Sequence, residues 1–125
     1  MAVRTLIIDD SAVARKALKI RFENKGFEVV GEAANATEGL NLFRSLAPRL
    51  VTMDLLMPKV GDVDARSLFQ SIRKEDPEVA IIVISAQPKG TERADYIRGG
   101  AIAYFEKPLN FEAMFAKLNQ IFGRS

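Results

Sequence analysis

Five short apolar runs, each followed by a stretch with helical spacing, constrain this chain more than any other feature. They are residues 3–8, 27–30, 50–54, 79–84 and 102–105. An apolar run without alternation suits a parallel strand buried on both faces. The second run is shorter and mixed, as expected near a sheet edge. Strands that alternate with helices make a parallel sheet, because each parallel neighbour needs a crossover and crossovers are right-handed. Five such units are too few for an eight-fold barrel. The expected fold class is therefore α/β, a doubly wound five-stranded parallel sheet with helices on both faces. No internal repeat or low-complexity tract interrupts the pattern, and 125 residues make one domain, residues 1–125.

The intervening stretches have helix signals. Asp10-Ser11 offers an N-cap, and Ala14, Ala17, Leu18 and Phe22 share one apolar face. Arg15, Lys16, Lys19, Arg21 and Lys25 take the rest of that surface, and Gly26 stops the helix. Asn35 and Glu38 have the spacing of a capping box, opening a helix lined by Leu40, Phe43 and Leu46/Ala47. Asp62 or Asp64 caps a third helix whose inward residues are Ala65, Leu68, Phe69 and Ile72. The fourth is entered through Lys89-Gly90-Thr91, has Ala94 and Ile97 as its apolar positions and ends on Gly99-Gly100. Asn110 caps the last, with a stripe at Phe111, Met114, Phe115, Leu118, Ile121 and Phe122.

Open α/β sheets take their ligands at the carboxyl ends of the strands. Here those ends carry Asp9-Asp10, Asp54, Ser85 and Lys107-Pro108. There is no cysteine and no histidine, which excludes thiolate chemistry, disulfides, an imidazole base and the usual zinc sites. Chemistry must run on carboxylates, hydroxyls and lysine. Like charges ~4 Å apart repel by about 4 kcal/mol at an effective dielectric near 20, so three acids at one edge invite a hard divalent cation. Magnesium takes one or two carboxylates, keeps waters and accepts phosphate oxygens. The net charge of +2 includes no block long enough to imply nucleic acid. Nothing resembles a signal peptide or the ~20-residue apolar stretch of a membrane span, so a cytoplasmic location is expected.

Together, Asp9-Asp10-Ser11, Asp54 with Met57-Pro58, Ser85-Ala86 and Lys107-Pro108, in a βα register across the whole chain, resemble the receiver domain of two-component response regulators. The resemblance implies a flavodoxin-like (βα)5 fold with strand order 2-1-3-4-5. It implies Mg2+ held by Asp10 and Asp54, by Asp9 partly through water, and by the backbone carbonyl of Leu56. Asp54 would accept a phosphoryl group from a histidine kinase or phosphotransfer protein, with Lys107 and Ser85 contacting phosphoryl oxygens and Pro108 following a cis bond. Tyr104 occupies the aromatic switch position and would turn inward as Ser85 moves. That change would reshape the fourth helix, fifth strand and last helix for a downstream protein target. Such a chain is a signalling phospho-acceptor, not a conventional enzyme, with no direct nucleic-acid contact and with homodimerisation left open. It acts either alone or as the receiver part of a longer regulator. One departure stands out: Gly61-Asp62 reverses the Asp/Asn-Gly order usual after Met-Pro, so the positive-φ freedom moves by one residue and Asp62 adds charge nearby.

Taken singly, these residues are ordinary: a helix cap, a turn acid, a solvated lysine, a packed tyrosine. Their joint placement carries the reading. Rival classes lack support. No phosphate-binding glycine motif follows the first strand, and a haloacid-dehalogenase-type phosphatase would need an acid where Leu56 stands. A receiver that binds partners without phosphate remains the alternative.

Overall fold

The computed structural model describes residues 2–86 and 90–123. Five strands and five helices alternate: β1 (Arg4–Ile8), α1 (Ala12–Asn24), β2 (Glu28–Ala33), α2 (Ala36–Leu46), β3 (Leu50–Asp54), α3 (Ala65–Glu75), β4 (Ala80–Ser85), α4 (Glu92–Arg98), β5 (Ala103–Glu106) and α5 (Phe111–Ile121). All pairings are parallel, in the order β2-β1-β3-β4-β5. This is the expected flavodoxin-like arrangement.

Alternate residues of the central strands enter two separate cores. Leu6, Ile8, Val51, Met53, Ile81 and Val83 pack against Leu40 and Phe43 of α2, Leu68, Phe69 and Ile72 of α3, and Tyr96 of α4. On the opposite face Ile7, Leu50, Ile82 and Ile84 meet Leu18 and Phe22 of α1 and Met114, Phe115 and Leu118 of α5. There Phe22 is the hub, edge-on to Phe27 at 5.2 Å and to Phe115 at 5.1 Å between ring centres. With both faces covered, all six residues of β4 and all five of β3 are buried.

Several expectations are corrected. Ala17 is exposed, because Leu18 and Phe22, one turn apart, fill the contact between α1 and the sheet. On α4 the core seat belongs to Tyr96, and both Ala94 and Ile97 face outward. Successive helical residues point about 100° apart, so seating the Tyr96 ring against Phe69 turns Ile97 away. Ile121 is exposed at the end of the α5 stripe, and Ala47 lies beyond α2 as a left-handed cap. β2 runs on to Ala33 and β5 is shifted by one residue, to Ala103–Glu106. Asn35 does cap α2, its side chain accepting the Glu38 N–H, but the reciprocal capping box occurs on α3, between Asp64 and Ser67. Asp64, not Asp62, is that cap. Lys89, at the entry to the fourth helix, lies outside the described residues.

Strand register decides what gathers at the carboxyl edge. Ile8 lies beside both Ala33 and Met53, Asp54 beside Ile84, and Ser85 beside Glu106. The residues that end β1, β3, β4 and β5 are therefore level.

Candidate acidic pocket at the carboxyl edge

Asp9 follows β1 and is buried; its N–H donates to the Ala33 carbonyl at 3.0 Å. Its Oδ1 accepts the Ser11 N–H at 2.9 Å, and Ser11 then caps α1 by accepting from Ala14. Asp10, between them, is exposed and faces the mouth. Asp54, the last residue of β3, is only 4% exposed. Its Oδ1 accepts the Leu56 N–H at 2.7 Å and its Oδ2 accepts from Lys107 Nζ at 2.6 Å. Lys107 Nζ also lies 3.4 Å from Asp9 Oδ2. The lysine is aimed from behind: its N–H donates to the Ser85 carbonyl at 2.9 Å, and the Lys107–Pro108 bond is cis. Ser85 is buried at the end of β4.

Burial pushes the Asp9 carboxyl up, and the Asp54 charge adds to this against the Ser11 N–H and Lys107. Burial likewise disfavours the Lys107 ammonium, but the hydrogen bond to Asp54 and the charges of Asp54 and Asp9 together hold it above its ordinary value. One cation thus faces two buried acids, with a third at the rim.

Carboxylate oxygens of Asp9, Asp10 and Asp54 lie within 4.8 Å of one another. An octahedral magnesium at ~2.1 Å from each ligand places its ligand oxygens at most roughly 4 Å apart. A slight closure of the three side chains therefore suffices, and hard oxygen donors are the right type. The residues fit Mg2+. Asp62, at the tip of the neighbouring turn, is not part of this cluster. Leu56 reaches the site through its amide, on Asp54.

The turn itself is pinned. Gly61 adopts φ +68, Val60 and Val63 form an antiparallel bridge around it, and Thr37 Oγ1 donates to the Val60 carbonyl at 2.5 Å. The reversed Gly61-Asp62 pair thus puts glycine where left-handed backbone is needed.

Tyr104 already occupies the inward seat that was expected of it on switching: it is 2% exposed. Its hydroxyl donates to Glu92 Oε1 at 2.5 Å. Arg93 lies over the ring at 6.0 Å and donates to the Tyr104 carbonyl at 3.3 Å. Burial, then the Glu92 carboxylate, push the phenol up to about 12, while Ser85 pulls the other way. Tyr104 therefore links Ser85 on one side to α4 on the other.

Sequence reasoning missed three contributors. Arg15, read as part of a solvated basic face, donates to the Asp9 carbonyl at 2.6 Å and meets Glu32 at 3.5 Å. Thr37 and Glu92 were unremarkable helix-start residues, and no spacing links them to Val60 or Tyr104.

Comparison with known proteins agrees with this geometry. The response regulator receiver domain family matches residues 5–119. The chain is 36% identical over 121 residues to the chemotaxis protein CheY of Thermotoga maritima, covering 97% of this chain and 98% of that one. It is 33% identical to CheY of Bacillus subtilis over 120 residues, 96% and 98% of the two chains. Among solved structures, a chain of the CheX–CheY–BeF3–Mg2+ complex from Borrelia burgdorferi superposes with a TM-score of 0.87 at 27% identity, covering 96% of this chain and 89% of that one. No helix among the described residues is long and apolar enough to cross a membrane. With this fold, and with a pocket of Asp9, Asp10, Asp54 and Lys107 suited to magnesium, the chain belongs to the CheY-like response regulator receiver family, the signalling phospho-acceptors of two-component systems.

Proposed function

We propose that Asp54 carries the phosphate. The observation behind this is the Lys107 ammonium 2.6 Å from Asp54 Oδ2, with Asp9 and Asp10 alongside. An Asp54 carboxylate oxygen attacks the phosphorus of a phosphohistidine donor. The new O–P bond gives an acyl phosphate as the P–N bond breaks and the donor imidazole leaves. Such transfer depends on in-line positioning and on neutralising the equatorial oxygens. Lys107 supplies a compact positive charge, and the Ser85 hydroxyl donates to a second phosphoryl oxygen. Asp10 and Asp54 would hold Mg2+ directly, Asp9 partly through water, with the Leu56 carbonyl as a further ligand, and the ion would supply charge neutralisation for the transferring group. The Leu56 N–H on Oδ1 orients the nucleophile.

Receiver domains interact with kinases and downstream targets, and the Borrelia relative forms a complex with CheX. For this chain we assign a histidine kinase or phosphotransfer protein as donor and a protein target that reads α4, β5 and α5, within the cytoplasm, from a receiver unit spanning residues 1–125. The added charge, about −1.5 to −2, draws Ser85 toward the phosphoryl group and shifts the balance between two settings of Tyr104 and α4. Unchanged chemical shifts in α4 and α5 after phosphorylation would overturn this switch.

Intact mass after incubation with acetyl phosphate and Mg2+ tests the acceptor. One phosphoryl increment, lost with EDTA and absent in Asp54→Asn, is expected. No increment under any condition would leave the phosphate-independent interaction module.

A further inference from the structure

Away from the acidic pocket, a cleft of about 340 Å³ opens between α3 and α4. Its volume falls within the roughly 300–1,000 Å³ of small-molecule sites. We propose that this cleft binds a small aromatic anion, a flat one- or two-ring compound bearing a carboxylate or phosphate.

The aromatic part of the site is Phe69 and Tyr96, packed edge-to-face with ring centres 4.9 Å apart. Such a corner offers one ring face and one ring edge to a third ring. Tyr96 is almost wholly buried, at 7% exposed. Burial raises its pKa, Arg66 opposes that rise and the Glu92 and Asp64 charges add to it, so one cation and two acids act on the hydroxyl.

The charged residues that line the cleft are mostly cationic. Arg66, Arg73 and Lys74 line the cleft, against Asp95 as its one acid. Asp95 is already engaged by Arg98 and by Thr91. Arg66 and Lys74 enter no salt bridge among the described residues. Arg73 is held in place by the Gly100, Asp76 and Val79 carbonyls, all uncharged, and its Nε is buried without a partner. Its positive charge is thus fixed and not neutralised by a carboxylate. An anionic head is the complement of these three cations, and guanidinium groups favour planar oxyanions. A ligand with this charge and a flat ring satisfies both halves of the cleft at once. It also sits one ring from the switch region, since Tyr96 and Tyr104 are 6.4 Å apart.

The test is a titration of the full chain with 2-naphthoate, followed by amide chemical shifts, with acetate and 2-naphthol as parallel arms. Saturating shifts centred on Phe69, Tyr96 and Gly99 are expected with naphthoate. Acetate should leave these amides unmoved, and 2-naphthol should bind about tenfold more weakly. Arg66→Ala with Lys74→Ala, both at exposed positions, should weaken naphthoate by about tenfold. Labelling of Asp54 by acetyl phosphate should stay unchanged. Shifts centred elsewhere or failing to saturate, equal binding of naphthol, or an indifferent double variant would each overturn the proposal.

Discussion

Lys107 Nζ donates to Asp54 Oδ2 across 2.6 Å, joining the ends of β5 and β3 although the two residues are 53 positions apart. The same ammonium lies 3.4 Å from Asp9 Oδ2. It is a built-in monovalent counter-ion for acids that also suit Mg2+, so lysine and metal act on the same negative charge.

Lys107→Met should therefore tighten Mg2+ binding, by on the order of tenfold, because a repelling cation beside the site is removed. Phosphorylation by acetyl phosphate should fall in the same variant, since one of the charges facing the phosphoryl oxygens is lost. Calorimetric Mg2+ titration and intact mass measure the two effects. Unaltered Mg2+ affinity would show that the lysine and the ion do not share the acids.

The Tyr104–Glu92 bond has a signature at high pH. A phenol held at about 12 stays neutral in the folded state while an ordinary tyrosine, near 10.0, ionises. Its contribution to stability is complete below pH ~10 and disappears as pH rises through about 12. In a Tyr96→Phe background a single phenol remains, and tyrosinate absorbance should report this late titration. Glu92→Gln removes the carboxylate charge and should bring the midpoint down toward 10. A midpoint unmoved by Glu92→Gln would mean that burial alone sets it.

Thr52, inside β3, is buried and its hydroxyl finds no partner among the described residues. An unmade hydrogen bond in the interior costs about 1–3 kcal/mol, and valine has nearly the same shape. Thr52→Val should stabilise the protein by roughly 1 kcal/mol. Urea denaturation with an unchanged m-value would record this, and a lower midpoint would refute it.

Gly61→Ala tests the turn beside the acidic pocket. The nearest atom to an added Cβ is Thr37 Oγ1 at 3.6 Å, which is ordinary contact, so the cost lies in the backbone at φ +68. Alanine there should destabilise by about 1–2 kcal/mol, and asparagine by less, because its short polar side chain tolerates left-handed backbone. Equal denaturation midpoints for the three proteins would place the turn's constraint elsewhere, in the Thr37–Val60 bond.

The successful expectations share a cause. Each strand and helix announces itself through neighbours within one or two turns, so the βα order, Ser11, Asn35 and Asn110 as caps, and the acids at strand ends were all legible. The errors share one too. Ala17 and Ile97 satisfied helical spacing, but which residues of a helix meet the sheet depends on what fits there: Leu18 and Phe22 take the place on α1 and the Tyr96 ring takes it on α4. Arg15 looked like one more surface cation until α1 packed it over the Asp9 carbonyl.

The sequence alone determined the class of fold, the edge at which chemistry would gather and the residue types available for it. Period and strand-end composition are local properties, and a parallel sheet aligns its carboxyl ends whatever the loops do. Tertiary structure alone decided that Lys107 bridges Asp54 and Asp9, that Glu92 holds Tyr104 inward, and that three cations surround the Phe69–Tyr96 corner. Those contacts join residues from separate strands, helices and loops. Their geometry follows from strand register and from how helices seat on the sheet, which no local pattern encodes.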